Sequence, residues 1–101
     1  MNPNQLLPEE KQALENLLEI ALRDTGPSWR VANFLLAWWN ARLCGNYDLT
    51  TAWGLGDDDI MEDMCVVFRL ISRANSYPDT LGYGAQFEAV VRTWRPELVK
   101  K

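Results

Sequence analysis

Between Gly54 and Met64 the chain reads GLGDDDIMEDM, which sets five carboxylates, Asp57, Asp58, Asp59, Glu62 and Asp63, within seven residues. Such a run can hold a cation, stand in for phosphates, or start a helix. For a cation, Asp59, Glu62 and Asp63 would meet on one helix face at i, i+3 and i+4. That spacing is not an EF-hand loop, whose ligands surround a turn with a central glycine. The chain has no histidine, which removes the common zinc and iron ligand sets. No metal and no cofactor is expected.

As a helix start the run makes physical sense. Asp57 is a suitable N-cap, and Asp58 and Asp59 fall in the first turn, where backbone N–H groups lack partners and negative charge is favoured. Arg69 and Arg73 follow towards the other end, as the helix dipole prefers. A cap needs one or two carboxylates, however, and five repel one another. The surplus reads as an exposed acidic face made by Asp57, Asp58, Asp59, Glu62 and Asp63, with Met61 among them. Val66 and Leu70 fall between the Glu62 and Arg69 rows, which sets a small apolar patch beside the acids. Such a knob suits a basic groove on a partner protein. With a net charge of −4, mimicry of phosphates would be local.

Other chemistry finds little support. Without histidine, Ser–His and Cys–His nucleophile pairs cannot be built. No P-loop, dinucleotide fingerprint or GxSxG elbow occurs. GLGDDD runs straight into acids, which would repel a phosphate. Solvated carboxylates at a helix start are poor candidates for shifted catalytic pKa values. The chain is read as non-enzymatic.

The elements that would carry these residues are helical, giving an all-α fold: one compact bundle of four main helices in a single domain spanning 1–101, with 1–7 a flexible N-terminus. The first helix runs from about Pro8 to Arg23, burying Leu14, Leu17, Leu18, Ala21 and Leu22. Ser28 caps the second, which Gly45 ends. Its wheel is apolar over most of its circumference, apart from a stripe of Arg30, Asn33, Ala37, Asn40 and Cys44. Arg42 falls on the face of Val31, Leu35 and Trp38. Its stem would lie on the indole or its head pair with a carboxylate; the alternative is an arginine pointing into a cleft.

Segment 48–53 reads as one short helical turn from Asp48, with Leu49 and Trp53 facing inwards. The third helix spans about Asp58 to Asn75, with Ile60, Met64, Val67, Phe68 and Ile71 on its core face. SYPDTLGYG (76–84) breaks the chain. Its Tyr77, Asp79, Thr80 and Tyr83 form an alternative partner-binding loop, unless the two tyrosines close the end of the bundle. The fourth helix runs from about Tyr83 to Trp94, burying Phe87, Val90, Val91 and Trp94, with Glu88 and Arg92 as an i, i+4 pair.

Charge is unevenly placed. Residues 1–68 carry four basic against eleven acidic side chains, and residues 69–101 carry six against three. An acidic body argues against general, direct nucleic-acid binding. Five tryptophans, three tyrosines and three phenylalanines supply much buried area for a short chain. Cys44 and Cys65 lack CxxC spacing and read as small buried hydrophobes. The first residues lack a signal-peptide pattern and no uncharged apolar run spans a membrane, so a cytoplasmic protein is expected.

WRVANFLLAWWNARLCGNYDLT, followed by DMCVVFRLISRANSYPDTLGYGAQFEAVVRTWRPELV, resembles a family of small all-helical proteins on proteobacterial plasmids, integrative elements and prophages, whose activities are mostly unassigned. The resemblance covers about 29–99 and rests on Trp38–Trp39–Asn40, VFRLI and YPDTLGYG. A compact, acidic, histidine-free protein of this size also looks like anti-CRISPR proteins, type I-F inhibitors of Pseudomonas in particular. That likeness implies stoichiometric binding to a CRISPR surveillance complex of the bacterial host and a block to its nucleic-acid recognition. It assigns no residue roles. Two other readings stand beside it: an accessory or structural interaction protein of a mobile element, as a homodimer joined through an aromatic patch, and a small nucleic-acid binder using Arg69, Arg73, Arg92 and Arg95.

Overall fold

A computed structural model describes residues 1–99; the basic Lys100 and Lys101, included in the charge count, lie outside the described residues. The described residues form four α-helices: α1 (Pro8–Ala21), α2 (Gly26–Cys44), α3 (Asp58–Ala74) and α4 (Gly84–Trp94). Short 3-10 turns at Pro3–Gln5, Leu49–Gly54, Pro78–Leu81 and Pro96–Leu98 link or flank them. No strand occurs among the described residues, so the fold is all-α. None of these helices is long and apolar enough to cross a membrane.

Pro8 opens α1 where its missing N–H costs nothing, and Glu10 Oε1 accepts from Leu7 N at 2.8 Å. Ala13, Leu14, Leu17, Leu18 and Ala21 form the buried face. The helix ends at Ala21, leaving Leu22, expected in the core, exposed.

Thr25, not Ser28, caps α2: its Oγ1 accepts from Ser28 N at 3.2 Å. Pro27 lies in the first turn, so the helix starts earlier than the sequence suggests, and Ser28 is buried inside it. Near its end α2 breaks. Asn40 has φ −167° and ψ 84°, and its Oδ1 accepts from Leu43 N at 3.2 Å, capping a last separate turn. Gly45, at φ 99°, closes that turn in a conformation L-residues rarely adopt. The break takes Arg42 off the helical wheel, so it lies exposed rather than on the face of Trp38.

Asp57 caps α3 through Oδ1 to Asp59 N (2.8 Å), and Asn75 ends it in the left-handed region. Its buried face is Ile60, Met64, Val67, Leu70 and Ala74. Two assignments are thereby corrected: Leu70 is fully buried, and Phe68 is 66% exposed. The reason lies in the packing. α1 lies along both α2 and α3 and touches α4, whereas α2 packs on α4 and meets α3 at few points. Leu70 is on the buried side of α3, and Phe68 is on the side left open.

One hydrophobic cluster draws on all four helices. At its centre Phe87 meets Trp38 edge-on (5.7 Å, 88°) and stacks with Trp39 (5.5 Å, 18°). Trp38 Nε1 donates to Ser76 O at 3.0 Å, and Trp94 Nε1 to Ala21 O at 2.5 Å, so both indoles satisfy their polar end. Trp94 is half-buried, short of the burial expected for it.

Arg30 stacks on Trp29 (4.5 Å) and lies so close to Gly54 that a β-carbon there would sit 2.2 Å from its Cζ, which pins the 49–54 turn to α2. That turn begins at Asp48 as expected, but Leu49 and Trp53 face outwards and Leu55 is the residue it buries. Within residues 1–7, contacts from Gln5 and Leu6 reach the body. Leu6 joins the core, and Gln5 O accepts from Arg73 Nη2 at 3.3 Å. Among the described residues the ion pairs are Glu19–Arg23 and Glu10–Arg73, so Glu88 and Arg92 do not pair. Cys44 is buried; Cys65 is exposed, contrary to expectation.

Candidate functional site

Where α2 and α3 stand apart, a groove of about 800 Å³ remains. Phe34, Ala37 and Trp38 of α2 form one wall, and Met61, Cys65 and Phe68 of α3 the other. Met61, Cys65, Phe68 and Ser72 recur at i, i+4, i+7 and i+11, which keeps them on one helical stripe. Tyr47, Leu49 and Ala52 from the intervening segment complete the lining. Tyr47 meets Phe34 edge-on at 5.5 Å, and its hydroxyl is buried with no hydrogen-bond partner among the described residues. Large apolar side chains stand in water here: Leu49 is 79% exposed and Phe68 66%. Exposed apolar side chains gathered on one groove mark interaction surfaces in stable proteins.

The five carboxylates do not make one face. Asp57, Asp59 and Asp63 line a hollow of about 320 Å³ between α1 and the start of α3, with Asn16, Glu19 and Arg23 opposite. Asp63 is half-buried there, its Oδ2 accepting from Asn16 Nδ2 at 3.1 Å, so it serves the α1–α3 contact. By helical spacing, Asp58 and Glu62 instead flank the Met61–Cys65 stripe. Asp58, Asp59 and Glu62 are exposed, and within the described residues their side chains make no hydrogen bond or ion pair. No three carboxylates or thiols among the described residues are grouped so as to hold a metal ion.

The alternative loop also divides. Asp79 and Thr80 are exposed but bond locally, Asp79 Oδ1 accepting from Thr80 N (2.9 Å) and Thr80 Oγ1 donating to Tyr77 O (2.8 Å). Tyr77 is exposed; Tyr83 is buried and donates to Glu15 Oε2 at 2.8 Å. Tyr83 therefore closes the bundle and is removed from the candidate surface. Burial pushes its phenol well above the ordinary tyrosine value, and the hydrogen bond and charge of Glu15 add to this. The fold holds the neutral phenol, while an unfolded tyrosine ionises near ~10. Stability from this group is complete below that pH and is lost as pH rises towards the folded-state value. Tyr83→Phe should cost about 1 kcal/mol at neutral pH. It should also flatten the fall in urea midpoint above pH ~10; an equal fall in both proteins would contradict the assignment.

The four arginines of the last third are likewise not one set. Arg73 is held by Glu10, and Arg95 donates to Asn33 Oδ1 (2.6 Å), Cys44 O (3.1 Å) and Trp94 O (3.0 Å). Arg69, which lines the groove, and Arg92 make no such bonds among the described residues. Sequence reasoning missed the groove itself. Its one local signal was the Met61, Cys65, Phe68 stripe at i, i+4 and i+7.

Fold and site together define a small all-helical protein whose second and third helices leave an open apolar groove. The chain belongs to a family of unknown function, DUF7673, whose model matches residues 11–95. No curated protein and no solved structure matches it.

Proposed function

We propose that the chain is a non-enzymatic protein-interaction protein, acting in the cytoplasm, whose working surface is the α2–α3 groove. The observation that carries this reading is the groove itself, about 800 Å³ and apolar, with Phe68 and Leu49 standing exposed beside it. A monomer gains nothing by leaving such side chains in water, whereas an aromatic anchor that becomes desolvated on docking is where interfaces concentrate their binding energy. An accessory role on a mobile element, which the family resemblance implies, fits this chemistry.

A second reading has its own support. Asp58, Asp59 and Glu62 are exposed and unpaired within the described residues, as an anti-CRISPR-type inhibitor needs if carboxylates are to meet a basic nucleic-acid groove. One experiment addresses both. Immobilised wild-type and Phe68→Asp chains are offered the free chain and, separately, purified type I-F surveillance complex, at low and moderate salt. The groove reading expects retention of at least one probe by the wild type and its loss with Phe68→Asp. The inhibitor reading expects salt-sensitive retention of the complex, lost on reversing Asp58, Asp59 and Glu62 to lysine. Retention of neither probe at low salt overturns both.

A further inference from the structure

We infer that the occupant of the α2–α3 groove is a second copy of this chain, docked by antiparallel pairing of the two α3 helices about a two-fold axis near Cys65. The inference rests on the groove being an interaction surface and names what covers it.

The charges beside the groove point to a copy. Glu62 and Arg69 are seven residues apart, two helical turns, and so lie on the same flank of the Met61, Cys65, Phe68 stripe. Their signs are opposite, and neither side chain has a partner among the described residues. A surface made for a basic partner would carry one sign along its length. When two identical helices pair antiparallel across a two-fold axis, the same flank of each faces the other, with its order reversed. An axis near Cys65 then sets Glu62 opposite Arg69 of the partner subunit, and Arg69 opposite Glu62 of the partner subunit. Parallel pairing about a two-fold axis would carry the Glu62–Arg69 flank of each helix to opposite sides of the contact, so these charges would not meet. The exposed flank is thus self-complementary in one orientation only.

The apolar surface agrees with this register. Phe68, three residues beyond the axis, comes to lie over the half of the partner's groove that contains Met61 of the partner subunit. Each ring would leave water in the groove of the other copy, so one isologous contact covers both grooves. A specific dimer hides about 800 Å² per partner. Phe68, which lines the groove at 66% exposure, offers on the order of 100 Å² of that. Leu49, Met61 and the groove walls supply more.

The test uses the full chain. Sedimentation equilibrium should show a reversible monomer–dimer system, and Phe68→Asp should weaken it by at least about 30-fold while its thermal melt stays close to wild type. Glu62→Arg alone and Arg69→Glu alone should each weaken it by about 3–10-fold, and the double exchange should restore it. A short bismaleimide should join two chains through Cys65, since Cys44 is buried, and Cys65→Ser should abolish the product. A chain that stays monomeric at every concentration overturns the inference. If that monomer still retains the surveillance complex through Phe68, the groove reading stands and only the second copy falls. A dimer indifferent to Phe68→Asp puts the contact elsewhere, and a double exchange weaker than either single change excludes the antiparallel register.

Discussion

Replacing Phe87 with alanine is expected to destabilise the fold by about 3–5 kcal/mol. Phe87 is fully buried on α4, with Trp38 edge-on at 5.7 Å and Trp39 stacked at 5.5 Å, both from α2. Truncation removes the ring's transfer energy and leaves a cavity between two indoles that cannot both move in. Trp38 is tethered by its Nε1–H to Ser76 O, and Trp39 lies one residue before the Asn40 break. A chain of this size has about 5–15 kcal/mol in total, so the variant would sit near the edge of folding at 25 °C. Phe87→Leu, which keeps most of the volume, should cost less than half as much. Urea unfolding followed by tryptophan fluorescence measures both. A loss under about 1 kcal/mol for the alanine variant would mean that α4 can collapse onto α2, and that the aromatic trio does not anchor the core.

The same trio shows what local pattern conveys. Four helices, the Asp57 cap, the Gly45 stop and the burial of Phe87, Val90 and Val91 follow from apolar spacing and cap chemistry, which act within a few residues. The end of α2 did not follow. Its apolar pattern runs unbroken through Trp38 and Trp39, and only the Asn40 side chain, bonding Leu43 N in place of a helical continuation, breaks it. Arg42 and Leu43 then leave the wheel that a straight helix would give them.

The groove was harder to read because it depends on which helices pack. On α3, Phe68 and Leu70 flank the certain core positions Ile60, Met64 and Val67 on opposite sides. Size and hydrophobicity favour burying phenylalanine, yet α1 packs closely along α3 while α2 stands off, and Leu70 goes in. Leu49 and Trp53 suit an α-helical i, i+4 pairing, but the segment is a 3-10 turn with three residues per turn, and that pairing dissolves. The acidic run was visible as residues, whereas its division between two surfaces required the position of α1. Each failure concerns long-range contact, which no local period encodes.

The Glu10–Arg73 pair is the strongest instance of such a contact, and it yields the second large effect. Arg73 is sixty-three residues from Glu10 and reads in sequence as a cation placed at the C-terminal end of α3 for the helix dipole. In the fold it grips Glu10 with two nitrogens, Nη2 to Oε1 and Nε to Oε2 at 3.2 Å, and donates to Gln5 O at 3.3 Å. Glu10 is only 5% exposed and has, besides Arg73, the Leu7 N–H at 2.8 Å. Arg73→Met would keep the stem but strand a carboxylate in the protein. Breaking a fully buried pair in this way costs ~3–5 kcal/mol. Water reaches the Arg73 side chain, 44% exposed, so about 2 kcal/mol is expected here, or a fall in Tm of roughly 10 °C. Adding Glu10→Gln removes the stranded charge while keeping an acceptor for Leu7 N, so the double variant should be more stable than Arg73→Met alone. If instead the two losses add, Glu10 is adequately solvated without Arg73 and the pair does not hold the N-terminal segment. Hydrogen exchange at residues 2–7 separates the cases independently, since loss of the Arg73 bond to Gln5 O should speed it only where that segment depends on the pair.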